Sequence, residues 1–111
     1  MSDLNPLIKL TDIRNVVRLE HNSLFQSIGY VLSNHWNPLD ISVSRPIDDR
    51  YERFIPNVYT YALKSEKTAD LAEYLSFLSA DVLGVSTNEH NNKNSARIIM
   101  AVKKFYVSNV I

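Results

Sequence analysis

A chain of 111 residues makes one domain, spanning 1–111, that can bury a core without disulfides or a structural metal. It has no Cys, which excludes thiol chemistry, Fe–S clusters and Cys-based zinc sites, and its 2 glycines leave no Gly-rich phosphate loop or nucleophile elbow. Lys and Arg total 12 and so do Asp and Glu, so the basic footprint of a phosphate-neutralising protein is missing and nucleic acid is not an expected partner.

The segment 1–15 mixes apolar residues with Asp3, Lys9, Asp12 and Arg14. That is neither the apolar run of a signal peptide nor a membrane span, so a cytoplasmic location without a membrane partner is expected. From Leu10 to Trp36, Ile13, Val17, Leu24, Ile28, Val31 and Leu32 recur at mostly helical spacings. Whether 11–35 forms one helix or two stays open. A break at Glu20–Ser23 is favoured, with Ser23 capping a fresh start at Leu24. Asn37 precedes Pro38, and a residue before proline is pushed out of the α region, so the helix is predicted to stop after Trp36.

Ser42 to Arg50 predicts a loop, rich in Pro46, Ser44 and the Asp48–Asp49 pair. A helix is predicted over Ile55–Lys64 with Pro56 in its first turn, and Tyr51 and Phe54 form an extra turn beside it. Thr68 is the expected N-cap of the next helix, with Asp70 near its positive end and Gly84 as its left-handed C-cap. Leu71, Leu75, Leu78 and Val82 make its expected buried face. Ser86 to Asn94 is polar and aperiodic and predicts a loop, after which Ser95 caps a last helix. In that helix Ile98, Ile99, Val102, Phe105 and Tyr106 form the inward stripe, with Lys103 and Lys104 near the negative end. No apolar segment alternates over a strand's length. The expected fold is all-α, a compact bundle of four to five helices.

The candidate chemistry is thin. His21, His35 and His90 lie in separate segments with no pair at ligand spacing, so no metal or other cofactor is expected. Asp48, Asp49 and Glu52 are hard oxygen ligands in type, but Arg45, Arg50 and Arg53 interleave with them. A self-paired surface is favoured over a metal site. No serine has a Gly-flanked turn or a His–acid partner that sequence can place. Tyr51, Phe54, Tyr59 and Tyr61 cluster around the second helix, where core packing is favoured over an interface role. Residues 64–83 carry an acidic excess and 89–104 a basic one. Two explanations stay open: helices that complement each other, or a face turned to a partner.

Trp36-Asn37-Pro38-Leu39, then Tyr51-x-x-Phe54-Ile55-Pro56-x-Val58-Tyr59, then Leu71-Ala72-Glu73-Tyr74-Leu75 and Leu83-Gly84 occur in order between about Val31 and Val102. They resemble a family of short bacterial helical proteins of unknown function. Its pattern runs Trp-Asp-Pro-(Leu or Ile)-Gly, Tyr-x-x-(Tyr or Phe)-aliphatic-Pro-x-aliphatic-Tyr, and Leu-Ala-x-Tyr-Leu. Asn37 stands where that pattern has Asp, and Asp40 where it has Gly. The resemblance implies a compact helical domain and a bacterial source, and no activity. Physically, Trp36 is expected to plug the junction between the first and second helices.

Two functional classes follow. The first is a non-enzymatic protein-interaction domain, such as an immunity or antitoxin-like protein that neutralises a toxin. Its expected partner surface is Arg45, Asp48, Asp49, Arg50, Tyr51 and Arg53, where Arg, Tyr and carboxylates mix as they do in interface hot spots. The alternative is a small ligand-binding module or enzyme with a carboxylate-lined cleft near Trp36, Asp40, Asp48 and Asp49.

Overall fold

The structure is a computed structural model that describes residues 23–110, with side chains as far as residue 106. Ile13, Val17, His21 and the question of one helix or two over 11–35 fall outside the described residues. Within them all regular structure is helical: α1 (Leu24–Val31), α2 (Asp49–Glu52), α3 (Ile55–Lys64), α4 (Thr68–Phe77) and α5 (Glu89–Val110). This is the all-α bundle that the spacing predicts.

Local chemistry sets most of the boundaries. Ser23 is extended and its hydroxyl accepts the Gln26 N–H at 3.2 Å, so α1 starts where the cap allows. Pro56 sits in the first turn of α3, where its missing N–H costs no hydrogen bond. Gly84 has φ +70, the left-handed conformation that glycine adopts without a Cβ clash, and beyond it the Val85 N–H closes onto the Ser79 carbonyl at 2.9 Å. Gly29 serves close approach instead. A Cβ there would lie 2.7 Å from Ile55 Cδ1 and 2.8 Å from Ile47 Cδ1.

Several expectations are corrected. The loop expected over Ser42–Arg50 ends at Asp48, because that residue caps α2. Thr68 is not the N-cap of α4 but its first helical residue; Lys67 precedes it in extended backbone, with no side-chain cap. Ser86 to Asn94 is not all loop, because α5 begins at Glu89. Asn88 starts it: its carboxamide oxygen accepts the Asn91 N–H at 3.0 Å, which puts Ser95 inside the helix, fully buried and capping nothing. Finally, Val82 is exposed rather than buried. α4 runs into a π-helical turn, Leu78–Val82, closed by the Leu83 N–H on the Leu78 carbonyl at 2.8 Å. That wider turn takes an extra residue, so Val82 leaves the stripe of Leu71, Leu75 and Leu78, and Leu83 packs against the core instead. Phe105 also departs from the expected inward stripe, being 42% exposed, while Ile98, Ile99 and Val102 are buried as expected.

A second π-helical turn, Leu32–Trp36, extends α1 and closes with the Asn37 N–H on the Leu32 carbonyl at 2.9 Å. The helix does stop after Trp36, but Asn37 leaves through the left-handed region, φ 35 and ψ 59, rather than through extended backbone. α5 packs most extensively on α4 and also against α1 and this turn. The core lies where those elements and α3 meet, with Ile28, Leu32, Trp36, Tyr51, Ile55, Val58, Leu71, Leu75 and Ile99 fully enclosed.

Candidate functional site

The expected partner surface divides when its side chains are placed. Arg45 pairs with Asp49 at 2.8 Å, both well exposed. Arg50 clamps Asp48 through Nε at 2.9 Å and Nη2 at 3.0 Å. The same Asp48 oxygen that meets Nε accepts the Arg50 backbone N–H at 2.8 Å, so Asp48 is the N-cap of α2. These hydrogen bonds from Arg50 hold the Asp48 carboxyl below its ordinary value, and the pairing raises the Arg50 guanidinium in turn. The Arg53 guanidinium lies 4.7 Å from the centre of the Phe54 ring. The charges are thus at the surface but engaged with one another.

Tyr51 corrects the partner-surface expectation and meets the core-packing one: it is fully buried. Its hydroxyl donates to Asn37 Oδ1 at 2.5 Å and accepts the Leu39 N–H at 3.0 Å. Its ring centre is 5.8 Å from that of Trp36. Asn37 completes the turn: its Nδ2 donates to the Ile41 carbonyl at 2.9 Å and its Oδ1 accepts the Ile41 N–H at 3.2 Å. Burial pushes the Tyr51 phenol above its ordinary value, against the lowering effect of the Leu39 N–H. Tyr51 therefore holds the fold and offers nothing to a partner.

The alternative carboxylate cleft is likewise only partly assembled. A polar cleft of about 630 Å³ lies between the exits of the two π-helical turns and the start of α5, lined by Asn37, Asp40, Thr87, Glu89, Asn91 and Asn92. Asp40 is there; Asp48 and Asp49 are not. Trp36 lies beneath it, its indole N–H donating to Asn92 Oδ1 at 2.8 Å and its carbonyl accepting from Asn91 Nδ2 at 2.5 Å. Asn92 Nδ2 in turn donates to Thr87 Oγ1 at 2.7 Å. The asparagines that make 86–94 look like a loop are the clamp that holds Trp36 against α5. Trp36 fills the junction of the first helix with the last, as well as meeting Tyr51.

A second groove, of about 790 Å³, runs between α3 and α4. Tyr61 of α3 stacks on Tyr74 of α4, centres 4.0 Å apart and planes within 8°, and Phe77 continues the stack at 6.0 Å. Tyr61 is 44% and Phe77 48% exposed. Burial raises the half-buried Tyr74 phenol, against a hydrogen bond with Asn57 that lowers it. Lys64, Asp70 and Glu73 share the lining. Sequence reasoning passed over Tyr74 and Phe77, although part of the signal was present: Phe77 lies off the Leu71–Leu75–Leu78 stripe, whereas Tyr74 borders it and packs partly against the core, so the outer edge of α4 carries an aromatic ring beyond those the core uses.

Among the described residues no helix is long and apolar enough to cross a membrane, and no group of three His, Asp or Glu is placed to hold a metal. No family model, no curated protein and no solved structure matches this chain.

Proposed function

We propose that this chain is a non-catalytic protein-binding domain, with a toxin neutralised by occlusion as the first partner class to test. The observation that supports the reading is the Tyr61–Tyr74–Phe77 stack. Two large rings remain nearly half exposed on neighbouring helices, while the described residues bury their core elsewhere. Aromatic residues of this kind supply much of the energy at protein interfaces, because they desolvate a large area at little entropic cost. The group of Arg45, Asp48, Asp49, Arg50 and Arg53, on and around α2, fits the rim of such an interface better than its centre, since four of its charges pair with one another and Arg53 lies over Phe54.

Affinity capture from cells of the source organism, followed by calorimetry with the purified partner, tests the reading. Tyr61→Ser and Phe77→Ser should each weaken binding by about tenfold or more, as removal of a hot-spot ring does. Asp49→Lys should change it little. Full affinity in both ring variants, with a loss in Asp49→Lys, would return the interface to the charged loop. Asp48 is a poor probe of that loop, because its replacement also removes the cap of α2.

A further inference from the structure

We infer that the groove between α3 and α4 receives a lysine or arginine side chain of the protein partner, with its cation between the aromatic stack and the carboxylates of Asp70 and Glu73. This deepens the protein-binding reading and rests on it. The rings alone would accept any apolar group, but the charges narrow the choice. Asp70 and Glu73 line the same groove as Tyr61, Tyr74 and Phe77, and neither has an ion-pair partner among the described residues, where the ion pairs are Arg45–Asp49 and Arg50–Asp48.

The neighbouring basic helix does not supply the missing cation. Lys103 of α5 instead reaches the end of α3, donating to the Ser65 carbonyl at 3.0 Å and the Leu63 carbonyl at 3.4 Å. The acidic excess of 64–83 is therefore not answered by an ion pair with α5. Among the described residues Lys64 is the one cation lining the groove, outnumbered there by the two carboxylates. A basic side chain satisfies both halves of the lining at once: its aliphatic stem covers exposed aromatic surface, and its head group takes the electrostatic attraction of the rings and carboxylates.

The test uses the full chain, labelled with ¹⁵N, and two blocked tripeptides, Leu-Arg-Leu and its Leu-Gln-Leu counterpart. The Arg peptide should shift amides around Tyr61, Asp70, Glu73, Tyr74 and Phe77 saturably, with an affinity about tenfold above that of the Gln peptide. That preference should disappear in the Asp70→Asn/Glu73→Gln variant at unchanged fold, as judged by its spectrum, and should shrink with added salt. Equal response to both peptides, or shifts centred away from the groove, would overturn the inference. The two readings fail separately. A captured partner that binds the Asp70→Asn/Glu73→Gln variant at full strength removes the cation claim and leaves the protein-binding domain standing. Arg-selective binding in the groove together with a partner indifferent to Tyr61→Ser and Phe77→Ser does the reverse.

Discussion

Two aromatic clusters in this domain use the same side-chain types for opposite ends. Around Trp36 and Tyr51 the rings are sealed and each polar handle has a partner, the indole N–H on Asn92 and the phenol on Asn37 and Leu39. Around Tyr61, Tyr74 and Phe77 the rings stack on each other, and Tyr61 and Phe77 stand nearly half exposed while Tyr74 also packs against the core. The difference is set by what lies opposite. Trp36 meets the asparagines at the start of α5, whereas beyond Tyr61 and Phe77 no element of the described chain closes the groove. Hydrogen-bonded burial makes the first cluster a determinant of stability. Exposure makes the second the surface on which the proposed binding rests.

The largest expected effect is at the first cluster. Trp36→Ala removes a fully buried ring and leaves Asn92 without its donor, and should cost about 3–5 kcal/mol of stability in denaturant unfolding. A variant that keeps the wild-type unfolding midpoint would erase the distinction between the clusters.

Tyr51→Phe keeps the ring and removes only the hydroxyl, so it isolates the polar part of the junction. It should cost about 1–3 kcal/mol, because the Leu39 N–H and the Asn37 carboxamide lose a partner in a half-buried site. The pH dependence sharpens this. The fold holds the Tyr51 proton more tightly than the unfolded chain does, so the contribution is complete below about pH 10 and is lost as pH rises through the higher folded value. Tyr74 shifts in the same direction. Stability measured from pH 8 upward should therefore fall on the alkaline side in the wild type and fall less steeply in Tyr51→Phe.

The smallest effect concerns the turn that delivers Tyr51 its partners. Asp40 has φ 54, a left-handed conformation that costs an ordinary residue energy and glycine almost none. Asp40→Gly should raise stability by about 0.5 kcal/mol, the strain relief exceeding the entropy that glycine adds to the unfolded chain. A fall in melting temperature would mean that the Asp40 carboxylate supports the turn.

What the sequence made legible, and what it hid, follows the reach of each signal. Ser23, Pro56 and Gly84 act on the backbone within a few residues, and each sits where its chemistry places it. The start of α5 is hard to see in the sequence because Asn88, Asn91 and Asn92 are weak helix formers: Asn88 caps locally, but Asn91 and Asn92 are held by a distant group, Trp36. Val82 was misplaced because no local pattern announces a π-helical turn, and one extra residue rotates everything after it. The same limit applied to the site. Tyr51 lies among surface charges in the sequence, yet its side chain turns toward Asn37 and Leu39, while Tyr61, on the next helix, turns outward.

Calorimetric unfolding of Trp36→Phe and Phe77→Ser, side by side with the wild type, bears most directly on this division of the aromatic rings. Trp36→Phe should lower the melting temperature by several degrees, since it strands Asn92 and leaves a void. Phe77→Ser should lower it by no more than about a third as much, because the lost ring was half in water. Comparable losses in the two variants would contradict the account, since Phe77 would then be holding the fold together rather than standing ready for a partner.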